Sequence, residues 1–147
     1  MEKRIIANEV LFAEVAHLVA AGKPVVITAK GNSMHPFIRG GVDAVELVPA
    51  GKLQQFDIVL ARIGSACVMH RIIEIRGPEL TLMGDGNCVG VERCTLADVV
   101  AQVGVILRAG HRIDCLTDRH RHRAKLWFRL KPVRRYLLAF YRRLVLR

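Results

Sequence analysis

The sequence predicts a mainly β domain of the α+β class: a small antiparallel sheet or barrel with one helix ahead of it and a basic amphipathic helix behind. Three observations carry this. Short runs rich in Val and Ile recur at close intervals between Gly, Pro and Asp turn signals, enough for five or six strands. One apolar run near the N-terminus keeps helical spacing instead. The net charge of +10 is gathered at one end: residues 1–110 hold 11 Lys and Arg against 11 Asp and Glu, whereas residues 111–147 hold 12 against 2. The chain thus divides into a neutral body, 1–110, and a cationic segment, 111–147, a contrast that concerns partners more than fold. Its 147 residues suffice for one hydrophobic core, and with 52% apolar but only 5% aromatic residues that core is aliphatic.

Taken in order, Asn8 is placed to cap a helix over residues 8–21, with Gly22 as its stop. Val10, Leu11, Val15, Leu18 and Val19 line one side of it; Glu9, Glu14 and His17 take the other. Lys23-Pro24 breaks the chain, and Val25 to Ala29 reads as a strand. Asp43 to Val48 and Asp57 to Ile63 follow, separated by Pro49-Ala50-Gly51. Cys67 to Ile75 and Leu80 to Met83 flank a hairpin turn at Arg76-Gly77-Pro78-Glu79. Thr95 can cap a single helical turn through Asp98, and Val99 to Leu107 is a closing strand before Ala109-Gly110.

Beyond that turn, Pro132 suits the first position of a terminal helix. Val133, Leu137, Phe140 and Leu144 form an apolar stripe on it, with Arg134, Arg135, Arg142 and Arg143 alongside. Leu126, Trp127, Phe128 and Leu130, interleaved with Lys125, Arg129 and Lys131, make a second cluster. Two readings stand open: residues 125–147 lie on an anionic membrane surface, or the helix packs on its own sheet with arginines in solvent. No base-reading motif accompanies the charge, so nucleic acid is not the expected partner. No signal peptide is expected, and no run reaches the roughly 18 uncharged apolar residues a span requires. The expected location is the cytoplasm or the inner membrane face. Cys67, Cys88, Cys94 and Cys115 form no C-x-x-C pair and read as reduced thiols.

Three short motifs carry chemistry. Gly31-Asn32-Ser33-Met34-His35-Pro36 sets a hydroxyl between a flexible Gly-Asn pair and a proline-stiffened exit. A serine hydroxyl needs a base to take its proton, and backbone N–H groups at Asn32 and Ser33 can serve as an oxyanion hole. His70 lies in the strand run Val68-Met69-His70-Arg71-Ile72, and an imidazole titrates near pH ~6.5, which suits a general base at neutral pH. Alternation puts Val68, His70, Ile72 and Glu74 on one side and Met69, Arg71, Ile73 and Ile75 on the other. Asp85, between Gly84 and Gly86, can orient that imidazole or simply bond its own turn.

In this order the motifs resemble the signal peptidase I family and, more loosely, the self-cleaving SOS-repressor peptidases. Residues 31–36 are similar to the family's serine-methionine-x-proline box. Phe56-Asp57-Ile58-Val59 is similar to its glycine-aspartate-x-valine strand, with phenylalanine for glycine, and Gly84-Asp85-Gly86-Asn87 to its glycine-aspartate-asparagine box. The resemblance covers about residues 25–108. Met69-His70-Arg71 has histidine where classical members carry lysine, as in the endoplasmic-reticulum, archaeal and sporulation-type branch. It implies a serine endopeptidase of mainly β fold, with Ser33 as nucleophile, His70 as base, no metal or cofactor, and cleavage after small residues of an extended peptide or leader. That branch usually carries further aspartates after the glycine-aspartate box. Here only Glu92 is available nearby, so the orienting acid is Asp85 first and Glu92 second. The sequence holds no run long enough for the family's membrane anchor, so the expectation is a compact form acting on a precursor peptide. The alternative is a weak or inactive peptide-binding module docked by its basic tail. A self-cleaving repressor is disfavoured, because the residues ahead of Ser33 are too few for a DNA-binding domain and linker.

Overall fold

The computed structural model describes residues 9–145. They form α1 (Glu9–Ala20), then β1 (Val25–Thr28), β2 (Ala44–Val48), β3 (Ile58–Ile63), β4 (Ala66–Arg76), β5 (Glu79–Met83), β6 (Glu92–Thr95), β7 (Val99–Arg108) and β8 (His111–Asp114), and finally α2 (Asp118–Arg129) and α3 (Arg134–Val145). Asn8, the expected cap, and the side chains of Val10 and Leu11 lie outside the described residues. The helix ends as expected: Gly22 takes φ 78°, its N–H donates to Val19 O, and Lys23 N donates to Leu18 O.

The strands make one antiparallel sheet in the order β1-β2-β7-β3-β4-β5-β6, with β8 added beside β7. Register shifts where β2 and β3 meet β7 bend it into a half-barrel. One face packs Ile58, Leu60, Ala101 and Val103 against Val15 and Val19 of α1. On the other, Val59, Ala61, Ile72, Leu80 and Leu82 form a second cluster. Eight strands replace the expected five or six. β6 and β8 lack a β-branched pattern and are recruited through ladder hydrogen bonds to β5 and β7.

The cationic segment also differs from expectation. The 110/111 division falls in a hairpin turn, where Ala109 and Gly110 take φ 49° and 82°, and β8 belongs to the sheet. Instead of one helix from Pro132 there are two. Thr117 caps α2 by accepting from His120 N at 3.2 Å, and Pro132 sits in a short 3-10 turn before α3. Both helices dock on the body through polar groups. Arg121 Nε donates to the buried Asp57 at 2.8 Å, Arg39 Nε donates to Tyr141 Oη at 2.8 Å, and Arg134 Nη1 donates to Asn87 O at 2.7 Å. No helix among the described residues is long and apolar enough to cross a membrane.

His120 should make the folded state pH-dependent. It stands edge-on to Phe37, 5.6 Å between centroids, and its Nε2 is 3.1 Å from Arg71 Nη1, an arrangement suited to a neutral imidazole accepting from the guanidinium. Burial lowers its pKa to about 4, with Arg71, Arg121 and Arg123 acting in the same sense. An unfolded histidine binds its proton near pH ~6.5, so the unfolded chain is the better proton acceptor between that value and the folded one. This contribution is complete above pH ~6.5 and is lost as pH falls toward the folded value, by up to about 3 kcal/mol. Urea unfolding at neutral and acidic pH should show the loss in the wild type and much less of it in His120→Phe. An equal loss in both would sink this account.

Candidate active site

The serine loop joins β1 to β2 and is tied at both ends. Ala29 N donates to Asp43 O at 3.0 Å, and Gly41 N donates to Ala29 O at 2.8 Å. Asp43, fully buried, accepts from Arg108 Nη2 at 2.7 Å and from Arg39 N at 2.7 Å, while Arg108 also reaches Phe37 O. Within the loop Met34 and Ile38 point into the core, leaving Ser33 half-buried at the rim of a cleft. Neither the Asn32 nor the Ser33 N–H donates to a backbone carbonyl among the described residues.

The glycine-aspartate-glycine segment after β5 lies flat on this loop. Gly86 N donates to Ser33 O at 2.8 Å, and Asp85 N contacts Met34 Sδ at 3.5 Å. The glycines are required by proximity. A Cβ on Gly86 would collide with Asn32 O; one on Gly84 would collide with Ser33 O and stand 3.1 Å from His70 Nε2. His70 Nε2 and the serine backbone therefore converge on the same point above Gly84.

His70 is 7% exposed and shares the cleft with Ser33. The cleft has a volume of about 180 Å³ and a mixed lining, with Ile27, Met34, Ile38, Leu60 and Met69 beside Thr28, Lys30, Ser33 and His70. No hydrogen bond joins Ser33 Oγ to His70 Nε2 among the described residues; in catalytic pairs this contact commonly tightens only around substrate. Cys67 also lines the cleft, but burial pushes its thiol up to about 12, so it does not compete as a nucleophile. The other two buried histidines lie where the C-terminal helices meet the body: His120, itself on α2, against Arg71 of β4, and His35 edge-on to Tyr141 of α3 at 5.7 Å. Burial lowers the pKa of His35, assisted by Arg142 and Arg39.

The acid is where sequence and structure part. Glu92 Oε1 lies 2.5 Å from His70 Nδ1. The ladder explains how. Ile72 pairs with Leu82 and Leu82 with Glu92, so β6 delivers its first side chain to the face that carries His70. Asp85, the first choice, is committed elsewhere. Both its carboxylate oxygens accept from Arg71, at 2.8 Å from Nε and 2.7 Å from Nη2, and both residues are buried. The glycine-flanked turn does bring the Asp85 carboxylate to β4, but to Arg71 on the face opposite His70.

Sequence reasoning also missed the support beneath the site. Arg71 Nη1 donates to Phe56 O at 2.8 Å and its guanidinium lies 4.7 Å from the Phe37 ring centroid. Trp127 Nε1 donates to Asp85 O at 2.7 Å, so α2 clamps the glycine-aspartate loop from behind. An arginine among Met69, Ile73 and Ile75 was the signal available, because such a residue in a central strand demands a buried acid. Phe56, standing where the resembling box has glycine, takes φ 75°, a region that L side chains occupy at a cost. Its ring is buried 6.1 Å from Phe128. No group of three or more metal-ligating side chains occurs among the described residues. No protein-family model matches the chain, and comparison with curated proteins finds no match.

Proposed function

We propose that the chain is a serine endopeptidase of the signal-peptidase type, with Ser33 as nucleophile, His70 as general base and Glu92 as the acid that orients it. The observation that carries this reading is the convergence of His70 Nε2 and the Ser33 backbone above Gly84 while Glu92 holds Nδ1. A carboxylate on Nδ1 fixes the tautomer that leaves Nε2 free to accept a proton. Ser33 Oγ attacks the peptide carbonyl carbon as Nε2 takes its proton, and the Asn32 and Ser33 amides receive the oxyanion. His70 then protonates the leaving amine, and water releases the acyl group by the same proton path in reverse.

The substrate is an extended peptide from a precursor or leader. β1 ends the sheet order, and Ile27 to Lys30 line the cleft, so a peptide strand can add to that edge with an apolar side chain against Ile27, Ile38 and Met69. Fluorophosphonate labelling followed by intact mass should modify the wild type at Ser33 and leave Ser33→Ala untouched. A peptide library should be cut by the wild type and by neither Ser33→Ala nor His70→Ala. Equal cleavage by all three proteins would overturn the proposal. Peptide retained but uncut by the wild type would favour a binding module instead.

A further inference from the structure

The apolar stripe of α3 faces away from the protein. Helices normally bury such a stripe, yet α3 docks by Arg134 and Leu138, which are buried, while Val133, Phe140 and Leu144 are 45%, 64% and 61% exposed. Tyr136 and Leu137 complete the outward face. The inversion has a local cause: Arg134 satisfies Asn87 O and Trp127 O, and its guanidinium sits 5.4 Å from the Trp127 ring centroid. No aliphatic side chain can make those bonds, so the helix seats Arg134 inward beside Leu138 and leaves its apolar stripe outward.

We infer that this outward face, with the cations around it, is a docking surface for an anionic lipid bilayer. Residues 119–147 contain 11 Lys and Arg and no Asp or Glu. Lys125, Arg129, Lys131 and Arg135 are exposed, and none forms an ion pair among the described residues. A second copy of the same face would bring cationic margin against cationic margin, which like-charge repulsion opposes. Duplex nucleic acid would meet the charge but leave the aliphatic stripe in water. An anionic bilayer satisfies both, taking the stripe below its headgroups and the cations among them.

The test is sedimentation of the full chain with phosphatidylcholine–phosphatidylglycerol vesicles and with pure phosphatidylcholine vesicles, at low and high salt. The expected result is binding to the anionic vesicles that weakens with salt, and little binding to neutral ones. Neutralising one exposed cation should weaken it about fivefold, so Lys131→Gln with Arg135→Gln should weaken it roughly 25-fold. Phe140→Ser with Leu144→Ser should remove it without lowering the melting temperature, since both side chains are already exposed. The readout involves no peptide cleavage, so Ser33→Ala should bind like the wild type whatever becomes of the peptidase proposal. Any of four results would overturn the inference: no binding to anionic vesicles, equal binding to neutral ones, wild-type binding by the double serine variant, or a dimer that this variant dissolves. Binding to duplex DNA in place of vesicles would overturn it too.

Discussion

Glu92→Gln is expected to slow peptide cleavage by roughly 10²- to 10⁴-fold, the range a positioned proton-transfer partner contributes, while leaving KM and the folded state nearly unchanged. The side chain is 26% exposed on a short edge strand, so an isosteric amide fits without strain. What changes is the proton. A carboxylate can only accept from Nδ1–H and steadies the imidazolium that forms; an amide can turn its NH₂ toward Nδ1 and hold the tautomer with the proton on Nε2, where a base is needed. Imidazole nitrogen NMR provides a readout independent of turnover, because the favoured tautomer should change in the variant. Asp85→Asn should behave differently, losing stability first, since its oxygens serve Arg71. If Asp85→Asn instead lowers kcat with full stability while Glu92→Gln is harmless, the assignment of the acid is reversed.

Arg71→Ala is expected to cost about 3–5 kcal/mol of unfolding free energy, because it leaves the Asp85 carboxylate buried without its cation. Arg71 and Asp85 side chains are only 1% and 4% exposed, so water cannot replace the lost partner. The same truncation also removes the donor to Phe56 O. Contrast Arg76–Glu74, whose side chains are 78% and 54% exposed; an exposed pair of that kind contributes about 0–1 kcal/mol. Urea titration of Arg71→Ala and Arg76→Ala side by side measures the difference. Arg71→Met combined with Asp85→Leu should recover part of the loss by removing the stranded charge. A cost below about 1 kcal/mol for Arg71→Ala would contradict the buried-pair account.

The strands that were legible from residues alone are those built on buried β-branched runs, such as Ile58–Ile63 and Val99–Arg108. Glu92–Thr95 and His111–Asp114 were not, because their contribution is a ladder edge and not an apolar face. The Asp118–Arg129 helix hid for a similar reason: its buried side is His120 and Ala124, and its hold on the body is made by Arg121 and Trp127. For the site, Ser33 and His70 could be named from short motifs with local context. Glu92 could not be ranked first, since its place depends on two successive strand pairings that no local pattern encodes. The inward turn of Arg134 was equally invisible, being set by carbonyls at Asn87 and Trp127.

His70 and Arg71 are neighbours in the chain and opposites in space, one serving the cleft and the other locking Asp85. That adjacency makes the pairing of β3 with β4 decisive. The pairs run from Ile58↔Arg71 to Ile63↔Ala66, around a turn in which Gly64 takes φ 60°. A slip of a single residue would offer a guanidinium to Ser33 and thrust an imidazole at Asp85, exchanging both jobs at once. Misfolding in this hairpin would therefore leave molecules that still resemble a β sheet yet have no base at all. Under the proposed chemistry, titrating active sites in a refolded sample would count the molecules that closed this one hairpin in phase.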